Sequence, residues 1–163
     1  MVIIHTKRFQ LKSLTINNVN EKYLSWFNSN AEIKKFISFA QNKKNLDELV
    51  QYVKGKENKK DTLFLGIFCS SGIHIGNIKY EPINFDKKTA VMEILIGEVH
   101  WRGKGVAYEV INAVNEYLKT NFDIKFIYLG VDKTNDSAIS VYKKMNFKII
   151  ENNRISFKMR LDL

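Results

Sequence analysis

Ten residues in the middle of the chain, HWRGKGVAYE (100–109), combine two glycines with two basic side chains. They lie between a run typical of a buried strand and a run typical of an amphipathic helix. A helix that begins at Gly105 has backbone N–H groups without intrahelical partners and a partial positive charge at that end. Gly103 and Gly105 lack the Cβ atoms that would hold an anion away from these amides, while Arg102 and Lys104 add mobile positive charge. The segment therefore predicts a pyrophosphate-binding loop.

Spacing separates this loop from two familiar nucleotide-binding loops. A Walker loop needs GxxxxGK[ST], which the chain lacks, and the dinucleotide fingerprint needs a third glycine where the chain has Tyr108. A turn of the form GxG also occurs between strands and helices that bind nothing, so the loop by itself leaves an ordinary turn open. A second motif is needed to decide between a turn and a binding site.

The second motif is NDSAISVYKKMNF, from Asn135 to Phe147. Together with the GKG core it resembles the GNAT acetyltransferase superfamily, whose acetyl-CoA loop has the form Q/R-x-x-G-x-G/A. In the family's later motif an asparagine opens a helix and a tyrosine lies seven residues on, and here these residues are Asn135 and Tyr142. The segments RFQLKSLT, YLSWFNSNAEIKKFI, HIGNIKY and AVMEILIG also resemble the branch that contains the ribosomal-protein alanine acetyltransferases.

The resemblance implies a three-layer α/β fold of the α+β type, with a mixed, mostly antiparallel sheet of six to seven strands and helices on both faces. It also implies that the fourth and fifth strands splay apart and that the pantetheine arm of acetyl-CoA pairs with the fourth. Free N–H groups there would orient the thioester and stabilise an oxyanion by about 3 kcal/mol per well-aimed donor. The residues that the resemblance assigns to acetyl-CoA are Ile94, Leu95, Ile96, Arg102, Gly103, Lys104, Gly105, Val106, Ala107, Asn135 and Tyr142.

Two of the side chains have predicted catalytic roles. Tyr142 is the predicted general acid, because a phenol of pKa about 10 can donate to a departing thiolate of comparable basicity; a core aromatic is the alternative. The acceptor amine, an alkylammonium of pKa near 10.4, must lose a proton before it attacks. Glu93, amid apolar neighbours on the fourth strand, is the first candidate to take it through water, and a structural glutamate is the alternative. Asn135 would bond the cofactor arm, cap the helix that follows, or do both.

The base has further candidates. Some protein N-terminal acetyltransferases of this superfamily carry a glutamate on the fifth strand where this chain has Gly130, which weakens the ribosomal-protein assignment. Asp132, two residues on and on the same face, and His100, beside the loop, are alternatives to Glu93. Cys69 lacks a paired histidine that would activate it and is predicted to be a small core residue, so direct attack without a covalent intermediate is expected.

The sequence thus predicts an N-acetyltransferase that uses acetyl-CoA as co-substrate, acts in a ternary complex and holds no metal. The formal charge of +9 favours an anionic acceptor over a polycation. An amino sugar or its nucleotide conjugate ranks first and a protein N-terminus second. A polyamine or antibiotic acetyltransferase and a non-catalytic acyl-CoA sensor on the same fold are the alternatives. The basic residues, 22 Lys and 4 Arg, are spread along the chain without a recognition motif, so nucleic acid is not the predicted primary partner.

The composition, with 45% hydrophobic and 26% charged residues, is that of one globular domain, predicted to span residues 1–163. No apolar run is long enough for a membrane span, and the N-terminus lacks the pattern of a secretory signal. The protein is therefore expected in the cytoplasm, away from membranes. The resemblance makes a homodimer possible.

Hydrophobic periodicity predicts the elements that must position these residues. Asn146 is predicted to adopt the left-handed conformation that ends the last helix. The predicted strands are Arg8–Leu14, Thr62–Cys69, Ile73–Tyr80, Thr89–Gly97, Lys125–Val131, Phe147–Ile150 and Ile155–Leu161. The predicted helices are two short ones within Asn20–Phe39, one from a cap at Asn45 to about Gly55, Val106–Phe122 and Asp136–Met145.

Overall fold

The computed structural model of the chain describes residues 1–29, 31–37 and 41–163. Within these ranges the chain forms eight β-strands and five α-helices. The strands are β1 Ile3–His5, β2 Phe9–Ser13, β3 Leu63–Cys69, β4 His74–Asn84, β5 Thr89–Ile96, β6 Phe126–Asp132, β7 Lys148–Asn152 and β8 Ser156–Asp162. The helices are α1 Glu21–Ser29, α2 Ala31–Phe36, α3 Leu46–Lys54, α4 Val106–Phe122 and α5 Asp136–Lys144.

The strands form one open sheet in the order β1-β2-β3-β4-β5-β6-β8-β7. Every neighbouring pair is antiparallel except β5 and β6, which are parallel. These two strands pair only through residues 89–91 and 126–128, although both continue for several residues. The second half of β5 is therefore not paired with β6. This confirms the predicted splay, which lies between the fifth and sixth strands of the chain.

The strand β1 was missed by the sequence prediction, so the described sheet has eight strands rather than six to seven. Its three residues pair with β2 at the edge of the sheet. The backbone N–H of Val2 also donates to Ser13 Oγ at 2.8 Å, which holds the N-terminus against β2. Three residues are too few for alternation to be recognised in a sequence.

The other elements agree closely with the prediction. Two short helices, α1 and α2, occupy the range predicted for them, and residues 30, 38 and 39 of that range lie outside the described residues. Asn45 Oδ1 accepts from the Glu48 N–H at 2.8 Å, and Glu48 Oε2 accepts from the Asn45 N–H at 2.9 Å. This reciprocal capping box explains why α3 begins where it does. Asn146 has a φ of 66°, which confirms the left-handed end of α5.

Helices cover both faces of the sheet. In β3, Leu65 and Ile67 are fully buried in a core shared with α4 and α5, whereas Phe64 packs with α1 and α3 on the opposite face. Each such buried aliphatic side chain contributes about 1.5–3 kcal/mol to folding. The arrangement confirms the predicted three-layer fold.

The helix that matters most for the site is α4, which spans the predicted residues 106–122. Its buried stripe packs on the sheet and fixes the direction in which its N-terminus points. The fully buried members of this stripe are Val110, Ile111, Val114 and Leu118. Neither α4 nor any other helix of the described residues combines the length and the apolar character needed to cross a membrane.

Candidate functional site

A cleft of about 710 Å³ opens between the second half of β5, the loop before α4, the start of α4 and one side of α5. Ile33 and Phe36 of α2 form part of its wall. Ten of the twelve predicted site residues line it, and Glu93 and Lys104 do not. The ten are Ile94, Leu95, Ile96, Arg102, Gly103, Gly105, Val106, Ala107, Asn135 and Tyr142.

The loop before α4 turns on two glycines with positive φ, 69° at Gly103 and 74° at Gly105. This left-handed conformation is unfavourable for residues that carry a Cβ atom. Gly105 is the N-cap of α4, and no side-chain hydrogen bond caps that end. The first amides of α4 are thus available to an anion in the cleft that Val106 and Ala107 line.

The two basic residues of the loop behave differently from each other. Arg102 Nε donates to the carbonyl oxygen of Ile96 at 3.0 Å, so its charge is fixed at the end of β5. The prediction that this charge is mobile was wrong for Arg102, because the strand end offers an acceptor. Lys104 Nζ lies 5.8 Å from the centroid of the Trp101 ring, within the range of a cation–π contact. Both charges remain beside the loop.

Tyr142 lies on α5, packs against the Phe147 ring at a centroid distance of 5.6 Å, and is 8% exposed. Burial raises the pKa of Tyr142 to about 12. The hydroxyl therefore keeps its proton at neutral pH, since burial disfavours the charged phenolate. Because the residue joins the core and also lines the cleft, a structural role and a chemical role are compatible at this position.

The turn from β6 into α5 is held by two polar side chains. Asn135 Oδ1 accepts from the Ala138 N–H at 3.2 Å, so Asn135 caps α5 while it lines the cleft. Asp132 Oδ1 accepts from the N–H and the hydroxyl of Thr134 at 2.8 and 2.6 Å. These hydrogen bonds hold the pKa of Asp132 below its ordinary value. Asp132 is thereby a weak base with a local structural role.

Two other positions named for the base lie away from the cleft lining. The side chain of His100 is 66% exposed, and its Nδ1 lies 4.0 Å from Glu98 Oε2. Gly130 offers no side chain, and an added Cβ would meet nothing within 4 Å. No group of three or more His, Cys, Asp or Glu residues in the described ranges could hold a metal ion.

A second, smaller pocket lies on the side of the sheet that α1 and α3 cover, and we call it the aromatic pocket. Ile94 and Leu95 line both this pocket and the cleft, so the two adjoin where β5 has left β6. Glu93 belongs to the aromatic pocket, and its side chain is 62% exposed. The lining residues are Tyr23, Phe27, Ile37, Tyr52, Phe64, Asn77, Lys79, Glu93, Ile94 and Leu95.

A group of charges borders the aromatic pocket. Lys79 Nζ lies 3.1 Å from Glu93 Oε2 and 3.3 Å from Glu81 Oε2, and the Lys79 side chain is only 10% exposed. Glu81 also pairs with Lys56 at 2.5 Å and with Lys59 at 3.8 Å. Three lysines thus face two carboxylates, which leaves the group with one net positive charge.

Lys79 keeps its charge in this setting. Burial alone would lower its pKa, but the adjacent Tyr52 and Glu93 raise the pKa of Lys79 above its ordinary value. Its ammonium also donates to Tyr52 Oη at 3.3 Å. The aromatic pocket therefore carries a permanent cation in its wall, which the sequence analysis did not single out.

Two further contacts near the site were also missed. Arg8 bonds Lys104 and Glu109, two residues that lie about one hundred positions later in the chain. Trp26 of α1 lies so close to Gly97 that a Cβ there would overlap the indole ring. An acidic residue in the first turn of a helix, such as Glu109, was the available signal for the first contact.

The family model described as an acetyltransferase (GNAT) domain matches residues 8–148 of the chain. The chain belongs to the GNAT acetyltransferases. This membership confirms the family predicted from the GKG loop and from the motif at 135–147.

Curated relatives of this GNAT chain are named as N-acetyltransferases. The chain is 31% identical over 78 residues to the spermidine N(1)-acetyltransferase of Escherichia coli (strain K12), and this alignment covers 48% of the chain and 41% of that protein. It is 35% identical over 75 residues to the N-alpha-acetyltransferase of Saccharolobus solfataricus, covering 46% of the chain and 44% of that protein. These alignments span less than half the length of each relative.

Solved structures match this GNAT chain over almost its whole length. RimL, a ribosomal L7/L12 alpha-N-protein acetyltransferase solved with coenzyme A, has a TM-score of 0.87 at 14% identity. The match covers 99% of this chain and 98% of the RimL chain. The microcin C7 self-immunity acetyltransferase MccE, solved with acetyl-CoA and AMP, has a TM-score of 0.84 at 15% identity, covering 96% and 93%. At these identities the likeness confirms the fold.

Proposed function

We propose that this GNAT protein is an acetyl-CoA-dependent N-acetyltransferase that moves acetyl to a primary amine by direct attack in a ternary complex. The observation that carries the proposal is the meeting of three features in one cleft: the glycine loop before α4, the half of β5 that β6 does not pair, and the Tyr142 side chain. Family membership and the names of the curated relatives support it.

The cleft suits acetyl-CoA in size and in polar groups. Its volume of about 710 Å³ lies within the roughly 300–1,000 Å³ typical of ligand sites. The first amides of α4 would receive the diphosphate, with Arg102 fixed beside them. The backbone of residues 94–96, which β6 does not pair, would bond the amides of the pantetheine arm. Side-chain identity matters little for that last role.

Gly105→Ala should weaken binding of acetyl-CoA by about tenfold, because the left-handed conformation costs alanine about 1–2 kcal/mol. The new Cβ would lie 3.6 Å from Arg8 Nη2, an ordinary contact, so the effect comes from backbone strain in the loop. Calorimetric titration with acetyl-CoA measures it. Gly72→Ala is the matched control, since Gly72 has a φ of 77° and open space around it. Equal weakening by both variants would contradict a specific role of the loop.

In the proposed mechanism Tyr142 assists the departure of the CoA thiolate. Its pKa of about 12 makes it a weaker acid than a free phenol, and an ordinary thiol has a pKa of only about 8.5. Complete proton transfer to the thiolate is therefore uphill. A hydrogen bond from the Tyr142 hydroxyl to the sulfur, which strengthens as negative charge develops there, is the contribution that the burial of Tyr142 favours.

The acceptor amine would approach from the aromatic pocket, because this pocket adjoins the cleft at Ile94 and Leu95. Glu93 is the proposed base, acting directly or through one water molecule. It follows Met92 on β5, and its exposed side chain lets the proton pass on to solvent. Glu93 and Tyr142 then act from opposite faces of the sheet, on either side of the splayed strands.

For the acceptor, we propose an amine that is anionic overall or carries no second positive charge, with an amino sugar or its nucleotide conjugate first and a protein N-terminus second. The Lys79 ammonium in the wall of the aromatic pocket supports this ranking, because a permanent cation repels a polycation. Aromatic side chains supply the apolar surface on which a sugar ring or a peptide packs. A polyamine is the alternative class of acceptor, since a matched relative is a spermidine acetyltransferase.

A panel of amines with isotope-labelled acetyl-CoA tests the proposal. It should contain amino sugars, amino-sugar nucleotides, peptides with free N-termini, spermidine and an aminoglycoside, with mass-spectrometric detection of acetylated products. Transfer to an amino sugar, its nucleotide conjugate or a peptide N-terminus in preference to spermidine is the expected result. Binding of acetyl-CoA without transfer to any amine would favour a sensor module, and absence of binding would contradict the proposed function as a whole.

Lys79→Met should shift the acceptor preference toward cations. The variant removes a buried ammonium but keeps a side chain of similar length, and it leaves Glu81 and Glu93 without their shared partner. We expect kcat/KM for spermidine to rise by about tenfold relative to that for an anionic amine. This change corresponds to about 1.4 kcal/mol, which is less than the roughly 4 kcal/mol between two unit charges 4 Å apart near a protein surface. Lys87→Met, at an exposed turn, is the control for loss of one lysine. An unchanged ratio would exclude Lys79 as a determinant of selectivity.

A further inference from the structure

We propose that Arg8 is a positioning residue for acetyl-CoA: it fixes the glycine loop before α4 and offsets the negative charge of Glu109 at the same helix end. This inference rests on the proposed acetyl-CoA site, because it assigns Arg8 a role in that site. Arg8 belongs to the segment that enters β2, far from the loop along the chain. The structure brings the two together.

The contacts join two segments of the chain through four hydrogen bonds, which we call the Arg8 strap. Arg8 Nη1 donates to the Lys104 carbonyl oxygen at 2.9 Å, and Arg8 Nε donates to Glu109 Oε2 at 2.7 Å. The backbone N–H of Arg8 and the hydroxyl of Thr6 donate to Glu109 Oε1 at 2.8 and 2.7 Å. One guanidinium therefore bonds both the loop and the first turn of α4.

The loop needs such an anchor because of its glycines. Lys104 lies between Gly103 and Gly105, and glycine has more conformational freedom to lose than any other residue. The Lys104 carbonyl that Arg8 bonds is thus a fixed point in the most adaptable part of the loop. A loop held in its binding conformation spares the ligand the entropy of ordering it.

Charge gives the strap a second consequence. Burial acts to raise the pKa of Glu109, but hydrogen bonds from Thr6 and Arg8 outweigh it and hold that pKa below its ordinary value, so the carboxylate is ionised. An anion in the first turn of α4 is favourable for the helix but repels a second anion bound at the same end. The Arg8 guanidinium, paired with Glu109, cancels this repulsion. The N-terminus of α4 then remains attractive to a diphosphate.

This double role predicts an asymmetric result. Arg8→Ala should raise the dissociation constant of acetyl-CoA by about tenfold, with kcat and the KM of the acceptor changed by less than about twofold. Adding Glu109→Gln should recover about threefold of that affinity, because the uncompensated carboxylate is then removed. A strap that only stabilises the fold would instead make the double variant no better than Arg8→Ala.

The experiment combines calorimetry with acetyl-CoA, steady-state kinetics and thermal unfolding on the full chain. Lys7→Ala, at the exposed neighbouring position, controls for loss of one positive charge and should bind like the wild type. Arg8→Lys keeps the charge without the forked geometry and should lose about threefold, which tests the idea even if Arg8→Ala unfolds. Failure of the wild type to bind acetyl-CoA would refute the proposed function itself. Normal binding by the wild type, Arg8→Ala and Arg8→Lys alike, or no recovery in the double variant, would overturn the role of Arg8.

Discussion

Tyr142→Phe should lower kcat by about 10²-fold and change the dissociation constant of acetyl-CoA by less than about twofold. The phenylalanine ring keeps the packing against Phe147, so the variant removes only the hydroxyl. A hydrogen bond made to the departing thiolate, and absent in the bound thioester, lowers kcat and kcat/KM together when it is lost. Steady-state kinetics with an acceptor from the amine panel, together with calorimetry, measures both quantities.

The pH profile sharpens this test. Burial raises the pKa of Tyr142 to about 12, above its ordinary value near 10, so the donor form persists as the pH rises. An alkaline fall in kcat below about pH 11 would then have to come from another group. Tyr117→Phe is the matched control, because Tyr117 packs on Phe122 and does not line the cleft. If both variants turned over at the wild-type rate, Tyr142 would have no role in catalysis.

Gly97→Ala should lower the free energy of unfolding by about 2–3 kcal/mol and the melting temperature by roughly 5–10 °C. The added Cβ would overlap the Trp26 ring, which is 4% exposed. That ring cannot swing aside freely, because its Nε1 donates to Glu98 Oε1 at 2.8 Å and it packs on Tyr23 at a centroid distance of 5.0 Å. Chemical denaturation monitored by tryptophan fluorescence measures the loss.

Gly130→Ala is the matched control for this prediction. Gly130 lies in β6 and has a φ outside the left-handed region, and an added Cβ would meet nothing within 4 Å. We expect its stability to stay within about 0.5 kcal/mol of the wild type. Equal stability of the two alanine variants would show that α1 shifts to make room for a Cβ at Gly97. The close packing of Trp26 against Gly97 would then contribute nothing to the free energy of unfolding.

Local patterns in the sequence were sufficient for most of the fold. The spacing of Val110, Ile111, Val114 and Leu118 fixed α4, because helical periodicity over 17 residues is hard to mistake for another structure. The glycine loop was found for the same reason, since its signal lies within six residues. Three-residue β1 escaped because it is shorter than any pattern that could reveal it.

The parts of the candidate site that were missed depend on partners far apart in sequence. Lys79 is predicted from its type to be exposed, and its burial becomes understandable only when β4 and β5 place it opposite Glu93. Arg8 and Glu109 are separated by about one hundred residues, and nothing local to either names the other. The contact that holds Arg102 could not be predicted, because its acceptor is the backbone carbonyl of Ile96 and every residue carries such a group.

The short pairing between β5 and β6 also links ligand binding in the cleft to the stability of the sheet. Three residue pairs join these strands in the described structure. The part of the sheet from β1 to β5 is therefore connected to the part formed by β6, β8 and β7 by few backbone hydrogen bonds. A ligand that forms hydrogen bonds with the edge of β5 that faces β6 fills the gap between the two parts and connects them. By thermodynamic linkage, a ligand that binds only the folded chain raises the free energy of unfolding, so the protein is most stable when the ligand is bound.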